Sequence, residues 1–188
     1  MLVGGNEKRA IVLVDHDPAW GERFRRERER IVGALGSVAL AVEHIGSTAV
    51  PCLVAKPIID VLVTVADVED EECYLPGLVA AGYVLRVREP GHRLVRTPLL
   101  DVHAHVLAEG SAAARDHLLF RDRLRADAAD RARYAEVKRE LARREWPSMN
   151  SYAEAKGEVI RDILRRASAP TSGNVDDRPR RASSNDQR

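Results

Sequence analysis

Two apolar runs, at residues 38–45 and 58–65, flank the polar turn Gly46-Ser47-Thr48 and a loop marked by Pro51, Lys56 and Pro57. The second run is short and rich in β-branched residues, which predicts a strand rather than a helix. The first alternates weakly and predicts another strand feeding the turn. Upstream, an apolar run at 10–14 predicts a strand that stops at Asp15-His16-Asp17-Pro18. There Asp17 can cap a helix and Pro18 suits its first position. Trp20, Phe24, Ile31 and Leu35 then share one helical face as far as Gly36, a glycine C-cap. Residues 67–81 predict a helix delayed by Pro76 and stopped at Gly82. Two short strands, 83–87 and 94–97, flank Pro90-Gly91, a turn signal. A stronger strand covers 100–107, and along it Asp101, His103 and His105 alternate onto one face.

Past Gly110 the pattern turns helical, over 111–127, 128–145 and 151–167, with Ser151 and Glu154 spaced as a capping box for the last. No internal repeat is visible. The pattern predicts an α+β protein: a mixed-sheet core over 1–110, a helical C-terminal part of the same domain over 111–168, and a polar tail over 169–188. That tail carries Pro170, Gly173 and Pro179 without apolar periodicity and is expected to be disordered.

Composition narrows this only a little. With 188 residues and 45% hydrophobic content, the chain can build the core of one domain. Its 30 Lys plus Arg against 29 Asp plus Glu argue for neither a nucleic-acid nor a membrane partner. No apolar run approaches the roughly 18–20 residues of a membrane helix. Cys52 and Cys73 form no CxxC pair and no secretory leader is visible, so a soluble, cytoplasmic protein is expected.

The candidate chemistry centres on Asp60, a carboxylate inside an apolar strand and costly to bury unless something binds it. The Gly46-Ser47 turn offers backbone N–H groups to phosphate oxygens. A Gly-Ser leaving a strand, with an Asp in the next strand, has the spacing of nucleotidyltransferases. The plainer alternative is a tight turn beside a hydrogen-bonded structural acid. His103 and His105 could join Asp60 in a facial metal set, with Glu43 or His44 adding a ligand; imidazole suits Zn, Ni, Mn or Fe better than Mg. Otherwise they hydrogen-bond across a sheet. Pro57 holds Lys56 extended beside the turn, as a phosphate contact or a solvated loop lysine. Two i, i+4 pairs, Tyr134/Lys138 and Tyr152/Lys156, each present phenol and ammonium on one helical face, to grip a triphosphate or simply to pack. Arg121 and Arg125 also share a face, but arginine is abundant enough that most are solvated.

The string Glu43-His44-Ile45-Gly46-Ser47-Thr48-Ala49-Val50-Pro51, followed by Ala55-Lys56-Pro57-Ile58-Ile59-Asp60, closely resembles the signature of the GrpB family, which is assigned to the nucleotidyltransferase fold. Asp17-Pro18-Ala19-Trp20, His103-Ala104-His105-Val106, Phe120-Arg121-Asp122, Leu124-Arg125, Tyr134, Lys138, Tyr152 and Ala155-Lys156 extend the resemblance over roughly residues 10–167. The resemblance implies a nucleotidyltransferase-like mixed sheet whose helical subdomain closes over a cleft. It further implies metal-dependent nucleotidyl or phosphoryl transfer from a nucleoside triphosphate to an unknown small-molecule or protein acceptor. In that picture Asp60, His103 and His105 are catalytic. Gly46, Ser47, Thr48, Lys56, Lys138, Tyr152 and Lys156 bind nucleotide and phosphate, while Asp60, His103, His105 and Glu43 hold a divalent metal, Mg or Mn, with Zn the other option. Two departures stand out: Cys52 replaces a glycine usual after the proline, and Leu62 stands where nucleotidyltransferases place a second acid. A two-metal mechanism wants several oxygen ligands around ions about 3.5–4 Å apart. The alternatives are therefore a non-catalytic nucleotide- or metabolite-binding accessory module, since similar chains occur fused to dephospho-coenzyme A kinase, and a small metallohydrolase built on the His-x-His strand.

Overall fold

Strand β2 (Ile59–Val65) is apolar along nearly its whole length because both of its faces are covered. In the computed structural model, which describes residues 1–3, 5 and 10–169, it lies inside a five-stranded mixed sheet. With β1 (Ala41–Ile45), β3 (Val84–Glu89), β4 (His92–Arg96) and β5 (Val102–Ala108), the order is β1-β2-β5-β4-β3. Only the β2–β5 pair is parallel. The expected α+β mixed sheet is thus present.

One face of the sheet packs on α1 (Ala19–Leu35) and α2 (Leu75–Ala80), where Trp20, Ile31, Leu35 and Leu78 meet Val61, Val63, Ala104 and Val106. The amide of Ala19 donates to Asp17 Oδ1 at 2.9 Å, and Gly36 ends α1 at φ 54°. On the other face Ile45, Leu62 and Leu107 are covered by Ala114 and Leu118 of α3 (Ala112–Ala126). The remaining helices are α4 (Ala128–Ala142), α5 (Met149–Ala155) and α6 (Gly157–Ser168). Of these, α4 and α6 pack with α3 around the loop after the Gly46 turn, through Leu124, Tyr134, Val159 and Ile163 against Val50, Leu53 and Val54.

Several boundaries differ from the sequence expectation. The strand predicted at 10–14 reduces to one bridge, Val14 with Ala55, closed by two backbone hydrogen bonds of 2.9 Å. Continuing it would require an N–H from Pro57, which has none. A single-turn helix at Gly36–Val38 delays β1 to Ala41. Of the helix predicted over 67–81, only Leu75–Ala80 is α-helical, with Pro76 in its first turn. Strand β5 begins at Val102 because Leu100 turns at φ 63°, its amide donating to the Thr97 carbonyl at 2.9 Å. Asp101 consequently leaves the histidine row. Its carboxylate accepts from Thr97 Oγ1 (2.7 Å) and from Arg23 (3.0 Å). The last predicted helix is two, divided at Lys156 before Gly157, and its cap is Ser148, whose Oγ accepts from the Ser151 amide at 3.1 Å, not Ser151. The predicted disordered tail lies outside the described residues except for Ala169. Among the described residues no helix is long and apolar enough to cross a membrane.

Candidate functional site: a cationic cavity against Asp60

Register brings the candidate chemistry together. Asp60 pairs with Ile45 on one side and His103 on the other, and His103 pairs with Arg96, so these four form one row across the sheet. The neighbouring row is Glu43, Leu62, His105 and Leu94. Side chains of both rows project from the face that α3 partly covers, because strand residues alternate. Asp60 Oδ1 lies 3.6 Å from His103 Nδ1 and 4.0 Å from His105 Nε2. Burial, the largest influence, pushes the Asp60 pKa upward. The hydrogen bond and charge of His103, with His105 and Lys56, outweigh it and hold the carboxyl below its ordinary value.

Gly46 permits this closeness. It sits at φ 69°, ψ −168°, and a Cβ built there would fall 2.4 Å from Asp60 Oδ2. The turn's next residue, Ser47, is held from the helices. Lys138 Nζ of α4 donates to Ser47 Oγ at 3.0 Å and also to the Val54 carbonyl, while Tyr134 hydrogen-bonds to Ser47. Lys138 is 2% exposed. Burial, helped by Lys156 and Arg139, lowers its pKa to about 7, with Asp60 pulling the other way.

Both Tyr-x-x-x-Lys pairs close up on their helices. Lys138 Nζ lies 4.8 Å from the Tyr134 ring centre, and Lys156 Nζ 4.8 Å from that of Tyr152. Lys56 reaches the same Tyr152 ring from the loop, at 5.4 Å. Burial also lowers Lys156 and raises the Tyr152 phenol to about 12. A cavity of about 410 Å³ lies between these groups. Its sheet side is Gly46, Ser47, Asp60, His103 and His105, and its helix side is Lys138, Tyr152 and Lys156.

Other candidates lie elsewhere. Thr48 is absent from the cavity lining: its hydroxyl donates to the Ile58 carbonyl (3.0 Å) and so accepts from His44 Nε2 (3.1 Å). His44 points to the opposite face, stacked on Phe24 at 4.6 Å, and burial takes it down to about 4. Replacing Thr48 by Val is expected to cost about 1–3 kcal/mol, because it strands a buried imidazole N–H and a carbonyl. Ligand binding should be almost unchanged, which urea unfolding beside calorimetry would check. Glu43 is paired with Arg121 (2.9 Å), which also donates to the His44 carbonyl at 3.1 Å. Arg125 holds the Ala49 carbonyl at 3.0 Å. These two arginines therefore brace the strand and turn rather than merely facing solvent.

Two histidines not evident from the sequence flank His105, and of these His117 also lines the cavity. His92 Nε2 and His105 Nδ1 are 3.1 Å apart, one ring donating to the other, and His117 of α3 lies 5.2 Å from His105, centre to centre. Burial pushes His105 down to about 3, so it is neutral near pH 7; Asp60 opposes that push, and His117, His92 and His103 add to it. The inward spacing of Ala114, His117 and Leu118 on α3 could have flagged His117. His92 depends on strand register, which no local pattern displays.

A metal centre is not laid out by these side chains. Leu62, at the position of the second acid, is fully buried in the apolar cluster with Ile45 and Leu107. Among the described residues no three His, Cys, Asp or Glu side chains are arranged to hold an ion. The donor set therefore does not fit a two-metal site.

A mixed sheet carrying a Gly-Ser turn beside a strand aspartate, with helices closing one side, defines a nucleotidyltransferase-like fold. The solved structure of the Cid1 poly(U) polymerase with MgGTP bound matches 69% of this chain and 44% of its own at a TM-score of 0.50, with 13% identity, a likeness of fold alone. The model described as GrpB protein matches residues 10–166, and the chain belongs to the GrpB family. A UPF0157 protein of Streptomyces coelicolor is 57% identical over 89% of this chain and 90% of its own. The crystal structure of the conserved protein GrpB from Enterococcus faecalis superposes at a TM-score of 0.74, with 32% identity over 83% of this chain and 96% of that one.

Proposed function

We propose that the cavity binds the phosphate groups of a nucleoside triphosphate and that the protein passes a nucleotidyl or phosphoryl group from it to an acceptor. The observation that carries this is the convergence of Lys56, Lys138 and Lys156 on one cavity, opposite Asp60 and beside the Gly46–Ser47 turn. Ammonium groups and turn N–H groups are the donors that phosphate oxygens require. Here Ser47 and the turn backbone hold one phosphate, and the three lysines neutralise the chain of phosphates. Asp60, kept ionised, accepts the proton of the attacking acceptor. No step is assigned to a metal, because the donor set does not complete a metal centre. A second reading, a nucleotide-binding module without turnover, is favoured by the burial of Leu62 where another acid would stand.

The test is calorimetric titration with ATP, GTP, CTP and UTP, each with Mg and with a chelator, on wild type and Asp60→Asn. In chelator the variant is expected to bind about fivefold tighter, the effect of removing one unit charge several ångströms from the phosphates at intermediate dielectric. Weaker binding of the variant with Mg alone would mean that an ion arrives on the nucleotide and uses Asp60. If no triphosphate binds in either condition, the reading falls. Phosphate or pyrophosphate release on turnover separates transferase from module.

A further inference from the structure

The histidines that line the cavity, His103, His105 and His117, differ in what their ring nitrogens do. His105 has both engaged: Nδ1 is hydrogen-bonded to His92 Nε2 at 3.1 Å, and Nε2 faces Asp60 at 4.0 Å. Among the described residues no carboxylate forms an ion pair with His117, so nothing of that kind fixes its ring. His103 differs from both. Its Nδ1 lies 3.6 Å from Asp60 Oδ1, and among the described residues no group holds its Nε2, the ring nitrogen farther from the backbone. Asp60 is enclosed: Oδ1 serves the two histidines, and Oδ2 lies so close under Gly46 that a Cβ there would come within 2.4 Å. A carboxylate so placed is suited to holding a ring nitrogen. A ring N–H held by a carboxylate, with its other nitrogen open to a polyphosphate site, is the arrangement of an activated nucleophile. Leu62, standing where a second acid would be, leaves no carboxylate pair to drive an acceptor onto phosphorus directly.

We propose that His103 is a nucleophile and that transfer runs through a covalent intermediate with phosphorus bonded to Nε2. This rests on the nucleotide reading of the cavity. In the first step the Nε2 lone pair forms a bond to the phosphorus being transferred. The bond from that phosphorus to its bridging oxygen breaks, and the departing pyrophosphate or nucleoside diphosphate keeps the electron pair. Lys56, Lys138 and Lys156 stand on the same cavity to take up that charge. The ring, now positive, keeps its Nδ1 proton against Asp60 Oδ1. In the second step the acceptor oxygen or nitrogen bonds to phosphorus, the P–N bond breaks, and its electron pair returns to Nε2. The acceptor's proton passes to Asp60. The first step needs no acceptor, so it is measurable before the acceptor is identified.

The full chain is incubated with ATP, GTP, CTP and UTP in turn, with Mg and without an acceptor, each radiolabelled at the α or the γ phosphorus. The mixture is quenched in alkali. The expected result is a labelled chain whose label survives alkali and is lost in acid, as an N–P bond requires, and which fragmentation mass spectrometry assigns to His103. An α label means nucleotidyl transfer and a γ label phosphoryl transfer. Mapping the label on the wild type makes the assignment independent of how any variant folds. His103→Asn should lower labelling at least about a hundredfold while calorimetry still detects triphosphate binding. Asp60→Asn keeps the shape of the carboxylate without its charge, and should slow labelling at least about a hundredfold although it binds triphosphate more tightly in chelator. Label on any other residue overturns the intermediate alone, as does a triphosphate that binds the wild type and leaves no label. If none of the triphosphates binds, the nucleotide reading falls and the intermediate with it.

Discussion

Gly46→Ala is expected to lower the unfolding free energy by about 3 kcal/mol and to abolish triphosphate binding. Backbone at φ 69°, ψ −168° belongs to a region that is essentially glycine's alone, and occupying it with a side chain costs on the order of 1–3 kcal/mol. The methyl would also arrive 2.4 Å from Asp60 Oδ2 and 2.9 Å from Asp60 Cβ, so the turn and β2 must separate. Urea unfolding measures the first effect and calorimetry the second. Gly33→Ala is the control: Gly33 lies inside α1 with open space around its Cα, and the same substitution there should stabilise by about 0.5–1 kcal/mol. A Gly46→Ala protein that folds and binds like wild type would refute the claimed contact between turn and carboxylate.

Lys138→Met should weaken triphosphate binding about ten- to a hundredfold, the range for losing a hydrogen bond from a charged donor. Its more diagnostic effect is on pH dependence. With a pKa near 7 in the free protein, Lys138 is largely neutral at pH 8, and an arriving phosphate favours the ammonium. Binding then takes up as much as one proton, and affinity falls as pH rises above about 7. Calorimetry in buffers of different ionisation enthalpy counts that proton; in Lys138→Met the uptake should vanish. Stability moves the opposite way. Between about 7 and the ordinary lysine value of 10.5, the unfolded chain holds the extra proton, so the ligand-free fold gains stability with rising pH. Below about 7 the full burden of a buried charge is present. A flat stability profile from pH 7 to 9 that is identical in Lys138→Met would contradict this assignment.

Asp60 and the two histidines of β5 were legible because strand alternation alone places His103 and His105 on one face, and a parallel β2–β5 pair then sets His103 beside Asp60. The helical Tyr–Lys pairs were legible for the same reason, an i, i+4 spacing that needs no tertiary knowledge. What stayed hidden depends on how elements meet. Thr48 reads as part of a phosphate turn, yet its hydroxyl is spent joining His44 to Ile58. Glu43 reads as a ligand, but α3 crosses β1 so that Arg121 takes it. Asp101 alternates correctly with His103 until a left-handed Leu100 takes it off the strand. His92 enters only through the pairing of β4 with β5, and its contact with His105 crosses from one register row to the next. The break at Lys156 was equally silent, since Gly157 begins a new helix without any proline to announce it.

The Lys138–Ser47 hydrogen bond joins residues 91 positions apart. During synthesis the sheet, the aspartate and the turn all leave the ribosome before the first helix-borne ammonium that faces them, and Lys156 follows later still. An unfinished chain therefore carries the turn, Asp60 and Lys56 of the cavity without the two helix-borne ammonium groups that stand opposite them. On the proposed reading, full affinity for a polyphosphate waits for Lys156 to be made and folded, and nucleotide-induced protection from proteolysis would report that step as well as affinity.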